Sequence, residues 1–197
     1  MTSPYDGLND DQWANKTREL IDLHPLNTQE LYDIVIQVWN SIFQSQIGSK
    51  PFRIGQDIFP SPQIMGFLLH ELIPLELAYH YPDKWHRGTL SDEKDIVYMP
   101  DNTFSIEIKT SSSRKNIYGN RSYTQATTTT KKSKSGYYLA INFEKFSSTT
   151  TTSQITLVRF GWLDHEDWLG QASASGQQAR LSPMVENNKL LVLPLKE

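Results

Sequence analysis

The first half of the chain places its apolar residues three and four positions apart, which is the spacing of amphipathic helices. The pattern predicts one helix over 8–23 that ends before Pro25. A second helix is predicted to begin at Asn27, with a capping box to Glu30, and to end before Gly48. The chain therefore opens with two amphipathic helices.

A third helix is predicted over 62–80, where apolar residues occur on nearly every side of the helix. This distribution is typical of a helix in the middle of a fold. Pro74 lacks a backbone N–H and is expected to kink or split the helix. The flanking stretches 49–61 and 82–93 are polar and are predicted to be loops.

The hydrophobic period then changes from helical spacing to the alternation of β-strands. Strands over 95–99 and 104–109, joined by the turn residues of 100–103, predict a β-hairpin. Further strands are predicted over 137–143, 155–162 and 189–195. Helices followed by a hairpin and more strands predict a mixed α/β or α+β fold.

Composition narrows the class of protein. The chain has 197 residues, of which 38% are hydrophobic, and this predicts one domain with a substantial core. It has no cysteine, so thiol nucleophiles, zinc–cysteine sites and iron–sulfur clusters are excluded. No apolar run is long enough to span a bilayer, and the acidic N-terminus does not resemble a signal peptide, so we expect a cytoplasmic protein.

Charge is divided unevenly along the chain. The net charge is −3, which by itself argues against a nucleic-acid partner. Residues 109–143, however, contain seven basic side chains and no acidic one. This basic segment predicts contact with phosphates, and the alternative is a solvated loop.

The predicted hairpin carries the most specific chemical signal. Because side chains alternate along a strand, Ile106 and Ile108 share one face, whereas Glu107 and Lys109 share the other. A three-residue loop or a bulge would place Asp95 across from Lys109 and diagonal to Glu107. Two carboxylates and a lysine suit a Mg²⁺ site that activates water beside a phosphate. The alternative is a solvated, charged strand face.

Asp101 offers a second choice for the first carboxylate, because Pro100-Asp101 also precedes Glu107. We favour Asp95, since Asp101 lies where the hairpin must turn and Pro-Asp-Asn is ordinary turn sequence. The choice between the two aspartates is the main ambiguity within the motif.

Glu71 is a further candidate from the third predicted helix. On a helical wheel it falls among Ile64, Phe67 and Leu75, so we expect it to point into an apolar stripe. A carboxylate without a partner is costly in such surroundings. Glu71 is therefore expected to serve a functional site or to form a structural salt bridge near the Pro74 kink.

The order Asp95, Glu107-Ile108-Lys109 resembles the PD-(D/E)XK nuclease motif. Around it, EKDIVYMPDNTFSIEIKTSSSRKNIYGNRSYTQ, with GYYLAINF and GWLDHEDWLGQASASGQQARL further on, resembles the ScaI-type group of type II restriction endonucleases. The resemblance covers roughly residues 60–195. Lys94 stands where the family often has proline, at a position without a chemical role.

The resemblance implies a PD-(D/E)XK core, in which helices flank a central mixed sheet that contains a catalytic β-hairpin. It implies one nuclease domain over 1–197, with an N-terminal helical part at 1–48 and the catalytic core at 62–195. The implied enzyme is a homodimer in a prokaryotic cytoplasm that cuts duplex DNA at a short palindrome. The implied cofactor is Mg²⁺, which Mn²⁺ can replace, and the products would carry 5′-phosphate and 3′-hydroxyl ends.

In this family pattern Asp95, Glu107 and the backbone carbonyl of Ile108 would bind the metal, with Glu71 as an additional carboxylate. Lys109 would orient or activate the attacking water. A junction resolvase or a repair nuclease on the same fold would need the same residues. A non-catalytic DNA-binding protein would need only the basic segment.

Candidates for DNA contact are polar or basic side chains in two segments. The basic segment contributes Ser112, Arg114, Lys115, Asn120, Arg121, Ser122, Tyr123, Gln125, Lys132 and Lys134, and the second segment contributes Gln177 and Arg180. Arg121 is expected to contact a phosphate, a base or a structural ion-pair partner. For the second segment the alternative is a surface loop.

Overall fold

The computed structural model describes residues 2–125, 132–147, 153–173 and 175–195. The helices of this part are α1 (Trp13–Asp22), α2 (Thr28–Gln44), α3 (Pro62–His80) and α4 (Pro183–Asn188). No helix formed by these residues is both long and apolar enough to cross a membrane.

A six-stranded mixed sheet forms the centre of the fold. Its strands are β3 (Trp85–Arg87), β4 (Ile96–Tyr98), β5 (Ile106–Ser111), β7 (Gly136–Phe143), β8 (Ile155–Leu163) and β11 (Leu190–Leu193). They lie in the order β11-β8-β7-β5-β4-β3. Strands β5 and β7 pair in parallel, and the other neighbours pair antiparallel. Helices flank this sheet, which confirms the predicted mixed α+β architecture.

Two smaller sheets accompany the central one. The pair β1 (Gln46–Ile47) and β2 (Phe52–Arg53) is antiparallel. A three-stranded sheet has the order β6-β10-β9, with β6 at Tyr118–Asn120, β9 at Trp168–Gly170 and β10 at Gln178–Leu181. Elements this short span too few residues to produce a hydrophobic period, so the sequence pattern did not predict them.

Strand β7 separates two hydrophobic cores, because it is buried on both faces. Tyr137, Leu139 and Ile141 pack in a main core that also contains the buried side chains of α2 and α3. Tyr138 and Ala140 pack in a second core, with residues of the three-stranded sheet. Because side chains alternate along β7, the three-stranded sheet covers the face opposite α2 and α3.

Helix α3 has the predicted bounds and runs unbroken through Pro74. Ile73 and Leu77 are fully buried on either side of the proline. Packing of this kind outweighs the loss of one backbone hydrogen bond, so Pro74 does not split the helix.

The start of α2 confirms the predicted N-cap but not the whole capping box. The Asn27 side chain accepts hydrogen bonds from the backbone N–H groups of Gln29 and Glu30, at 2.8 and 3.3 Å. The carboxylate of Glu30 instead accepts a hydrogen bond from the hydroxyl of Tyr81. Glu30 therefore ties α2 to the residue that follows α3 rather than closing the box.

Candidate active site

The hairpin that carries the motif has a different register from the predicted one. Strands β4 and β5 are antiparallel, with Ile96 opposite Ile106. Continuing this register by one residue places Asp95 opposite Glu107 rather than opposite Lys109. The slip is an even number of residues, so the predicted faces of the strand are retained.

The connection between the two strands explains the slip. The carboxylate of Asp101 accepts a hydrogen bond from the backbone N–H of Thr103 at 2.9 Å and starts a 3₁₀ turn over Asn102–Phe104. The backbone N–H of Tyr98 donates to the hydroxyl of Ser105 at 3.0 Å, instead of to a strand partner. A connection held by side-chain hydrogen bonds thus takes the place of the predicted three-residue loop or bulge.

Two carboxylates lie close together where the start of β4 is next to β5. The Asp95 carboxylate accepts a hydrogen bond from the backbone N–H of Ile108 at 2.7 Å. Glu107 is almost fully buried, with 3% of its surface exposed. The Lys132 ammonium lies between the carboxylates, 3.2 Å from Asp95 Oδ1 and 2.5 Å from Glu107 Oε2. Two negative charges therefore lie close together here, and the Lys132 ammonium partly neutralises them.

Lys109 is held by two partners in its own strand and by one residue from outside the hairpin. Its Nζ lies 2.8 Å from Glu107 Oε1 and 3.2 Å from the carbonyl oxygen of Ile108. It also donates to the hydroxyl of Tyr123 at 2.8 Å, and that hydroxyl donates to Glu107 Oε1 at 2.5 Å. Tyr123, from the turn that follows β6, therefore positions both the lysine and the carboxylate.

Both carboxylates are held in their charged form. Burial by itself would raise the pKa of Asp95, but a hydrogen bond with His70 and the charges of Lys132 and Lys109 hold that pKa well below its usual range. Burial also opposes ionisation of Glu107. The charge of Lys109, assisted by Lys132 and opposed by Asp95, nevertheless lowers the pKa of Glu107 to about 2. At neutral pH the pair can bind a cation without first losing protons.

The oxygen atoms of this cluster fit a divalent cation. Glu107 Oε2 is buried, and it forms an ion pair with the Lys132 ammonium. Asp95 and Glu107, with the carbonyl of Ile108, form a set of hard oxygen donors. No three His, Cys, Asp or Glu side chains in the described ranges are grouped to hold a metal. A cation bound here would therefore retain several water ligands, as Mg²⁺ usually does in proteins.

Glu71 lies near the cluster but is engaged elsewhere. Its carboxylate forms a two-point ion pair with Arg87 of β3, at 2.8 and 2.9 Å. The neighbours that were expected to bury it are exposed: Ile64 is 52% and Phe67 is 60% exposed. The expectation of an apolar environment was therefore wrong, and a salt bridge satisfies the carboxylate. The neighbouring His70, rather than Glu71, approaches Asp95, with 3.5 Å between Nδ1 and Oδ2.

Lys94 adds a buried cation behind the cluster. Its ammonium donates to the carbonyl of Ser133 at 3.4 Å and lies 5.1 Å from the ring centre of Tyr138. Gly136 leaves room for it, since a Cβ there would lie 2.8 Å from Lys94 Cε. Burial lowers the pKa of Lys94 to about 8, and the charge of Glu107 offsets part of this shift. Lys94 therefore places a buried positive charge close enough to Glu107 for the two charges to interact.

An open cleft of about 910 Å³ leads to the cluster. Its walls come from α3, from the end of β5 and from the three-stranded sheet. The lining includes His70, Glu71, Arg87, Asp95, Ser111, Ser112, Ser113, Tyr118 and Gln178. Asp95 is thus accessible to a ligand that enters between α3 and the three-stranded sheet.

Four of the candidate DNA-contacting residues make contacts inside the protein. The Arg121 guanidinium donates to the carbonyls of Ser173 and Gly176, at 3.0 and 3.1 Å, so it holds these two residues in place. Tyr123 and Lys132 belong to the carboxylate cluster, and the ammonium of Lys134 lies 4.4 Å from the ring centre of Tyr123. These contacts follow from packing between distant segments, which local sequence does not reveal.

The remaining candidates are accessible. Ser112 lines the cleft and is half-buried, whereas Arg114, Lys115, Asn120, Ser122, Gln125, Gln177 and Arg180 are exposed. Lys131 of the basic segment lies outside the described residues. The sequence did not single out His70, which belongs to no motif with a recognisable spacing. It assigned no chemical role to Lys94, which stands at the proline position of the motif.

The chain is similar to known proteins along nearly its whole length. A family model described as ScaI restriction endonuclease matches residues 3–194. The type II restriction enzyme ScaI of Streptomyces caespitosus is 48% identical over 193 residues, which cover 97% of this chain and 84% of that protein. The match includes the hairpin, the basic segment and the three-stranded sheet described above.

Proposed function

Because the chain belongs to the ScaI restriction endonuclease family, we propose that this restriction endonuclease uses Mg²⁺ to hydrolyse duplex DNA at one short site. The products would carry 5′-phosphate and 3′-hydroxyl ends. The observation that carries the proposal is the convergence of Asp95, Glu107 and Lys109, with Asp95 lining an open cleft. This arrangement matches the chemistry of the PD-(D/E)XK motif, which joins two carboxylates to one lysine.

Each residue of the cluster would have its own role in hydrolysis. Asp95, Glu107 and the carbonyl of Ile108 would hold the Mg²⁺, for which Mn²⁺ is expected to substitute. The chemistry that a bound ion supplies is a lower pKa for water and neutralisation of phosphate charge. The Lys109 ammonium donates to the attacking water or to a phosphate oxygen and stabilises the negative charge that develops. Tyr123 orients that ammonium through its hydroxyl. Glu71, which is paired with Arg87, would act on the bound metal through a water molecule rather than as a direct ligand.

The wider assignment follows from the same family. We propose that residues 1–197 form one nuclease domain that acts in the bacterial cytoplasm. A homodimer is proposed because a two-fold symmetric protein matches a palindromic site. The accessible basic side chains, Arg114 and Lys115 among them, would contact backbone phosphates.

The proposal is tested by incubating the purified protein with plasmid DNA and Mg²⁺ and by sequencing the ends. We expect double-strand cuts at one fixed sequence with 5′-phosphate ends, and no cuts when a chelator removes the metal. A junction resolvase would cut branched DNA and leave the linear duplex intact. A non-catalytic DNA-binding protein would bind the plasmid with steep salt dependence and never cut it. Either of these two results would refute the proposal.

Tyr123→Phe tests the positioning of the lysine. The substitution removes the hydroxyl that joins Lys109 to Glu107 but retains the ring under the ammonium. Loss of such an outer contact is expected to lower the cleavage rate about 10- to 100-fold and to weaken metal binding. Cleavage kinetics and calorimetric titration with Mn²⁺ measure the two effects. Tyr79→Phe, at an exposed tyrosine of α3, is the matched control, and equal behaviour of both variants would exclude the positioning role.

A further inference from the structure

The three-stranded sheet has one buried face and one exposed face. In β10 Ala179 and Leu181 are buried, with 1% and 5% of their surfaces exposed, and they pack in the second core. Gln178 and Arg180 alternate with them and point outward, where both are exposed. Among the described residues, the outward side chains of β10 are therefore not used for packing.

The exposed face carries a compact set of polar side chains from two adjacent strands. The antiparallel register of β6 and β10 pairs Gln178 with Asn120 and Arg180 with Tyr118. The side chains of Asn120 and Arg180 make no hydrogen bond to another described residue, and Gln178 has a long contact of 3.4 Å with Gln171. The Asn120 amide and the Arg180 guanidinium therefore have no partner among the described residues, and the Gln178 amide is held by that long contact alone.

This face belongs to the same cleft as the carboxylate cluster. Tyr118 and Gln178 line the cleft together with Asp95 and His70. A duplex that brings a phosphate to Asp95 would therefore lie against the exposed side of β6 and β10. The second core holds the two-stranded ribbon of β6 and β10 rigidly. Gly119 of β6 is packed so closely against Trp168 and Tyr123 that a Cβ at this position would lie 3.1 Å from the Trp168 ring.

We propose that the exposed face of β6 and β10 is the base-reading element of the enzyme, with Asn120, Gln178, Arg180 and Tyr118 at the major-groove edges. This inference rests on the proposed function. A two-stranded β-ribbon fits the major groove of B-DNA. Asn and Gln there form paired hydrogen bonds with adenine, and Arg forms them with guanine. The amide pair therefore selects an A·T pair, and Arg180 selects a G·C pair.

The test measures cleavage preference with a library of duplexes that carry every single-base change in the cut site. Gln178→Ala and Asn120→Ala are expected to lose about 5- to 150-fold discrimination at an A·T position, while cutting remains metal-dependent. Gln44→Ala removes an exposed amide at the end of α2, away from the cleft, and should keep the wild-type profile. Unchanged profiles for both ribbon variants would overturn the proposal. Failure of the wild-type protein to cut any duplex would instead refute the proposed function.

Arg180 has a separate test, because an arginine can also bind a phosphate. Arg180→Lys retains the charge but loses the two-point contact with guanine, so discrimination at a G·C position should fall while the salt dependence of DNA binding stays the same. A phosphate contact predicts the opposite pattern, in which Arg180→Ala weakens binding to all sequences and lowers the salt slope by about one. That pattern would remove Arg180 from the base-reading set.

Discussion

Replacing Asp95 with asparagine is expected to abolish cleavage, with a loss of at least about 10³-fold in rate. The variant keeps the shape of the side chain and an oxygen that can accept the hydrogen bond from the Ile108 backbone, so the hairpin should fold. It removes one of two carboxylate charges from the proposed metal site. A metal supplies several kcal/mol of stabilisation in hydrolysis, and about 4 kcal/mol corresponds to a factor of about 10³.

The matched control is Asp101→Asn. Asp101 is exposed and caps the 3₁₀ turn through Thr103, and asparagine caps such turns about as well as aspartate. This variant should cut at nearly the wild-type rate. If Asp101→Asn loses activity and Asp95→Asn keeps it, the first metal ligand has been assigned to the wrong aspartate. Calorimetric titration with Mn²⁺ should show weakened binding for the Asp95 variant alone.

Lys109→Met is expected to lower the cleavage rate by about 10²- to 10³-fold, which is the usual effect of removing one group that stabilises developing charge. Methionine has a similar length and retains packing against the Tyr123 ring, but it cannot donate to water or phosphate. The Glu107 carboxylate would lose its 2.8 Å partner and keep the Lys132 ammonium, so the site should stay folded. DNA binding, measured separately by gel shift, should change little.

Lys84→Ala is the control for loss of one positive charge, because Lys84 is exposed just before β3. It should leave both binding and cleavage near wild type. An Lys109→Met variant that cuts as fast as Lys84→Ala would contradict a catalytic role for Lys109. A variant that loses binding and cleavage in parallel would place Lys109 among the phosphate contacts instead.

Under the proposed function, the lysines around the two carboxylates let an acidic chain present a site for DNA. Asp95 and Glu107 are surrounded by Lys94, Lys109 and Lys132, so the carboxylates do not repel an incoming phosphate as bare charges would. The net charge of the chain conceals this local balance.

The sequence by itself determined the faces of the hairpin, the bounds of α3 and the buried character of β7. These features depend on periodicity and on alternation, which are local properties of a chain. Ile106 and Ile108 pack in the main core, and Glu107 and Lys109 lie on the other face, as the alternation predicted. The longer stretches around the motif also indicated the family, which the match to the family model confirms.

Only the tertiary structure determined the register of β4 with β5 and the side chains that contact the residues of the motif. Side-chain hydrogen bonds of Asp101 and Ser105 shift the pairing of β4 with β5, and such bonds have no hydrophobic signature. His70, Tyr123 and Lys132 contact the carboxylates from three separate segments. Arg87 forms an ion pair with Glu71. Contacts between distant segments depend on how helices and sheets pack. Such packing leaves no periodic pattern in a single sequence.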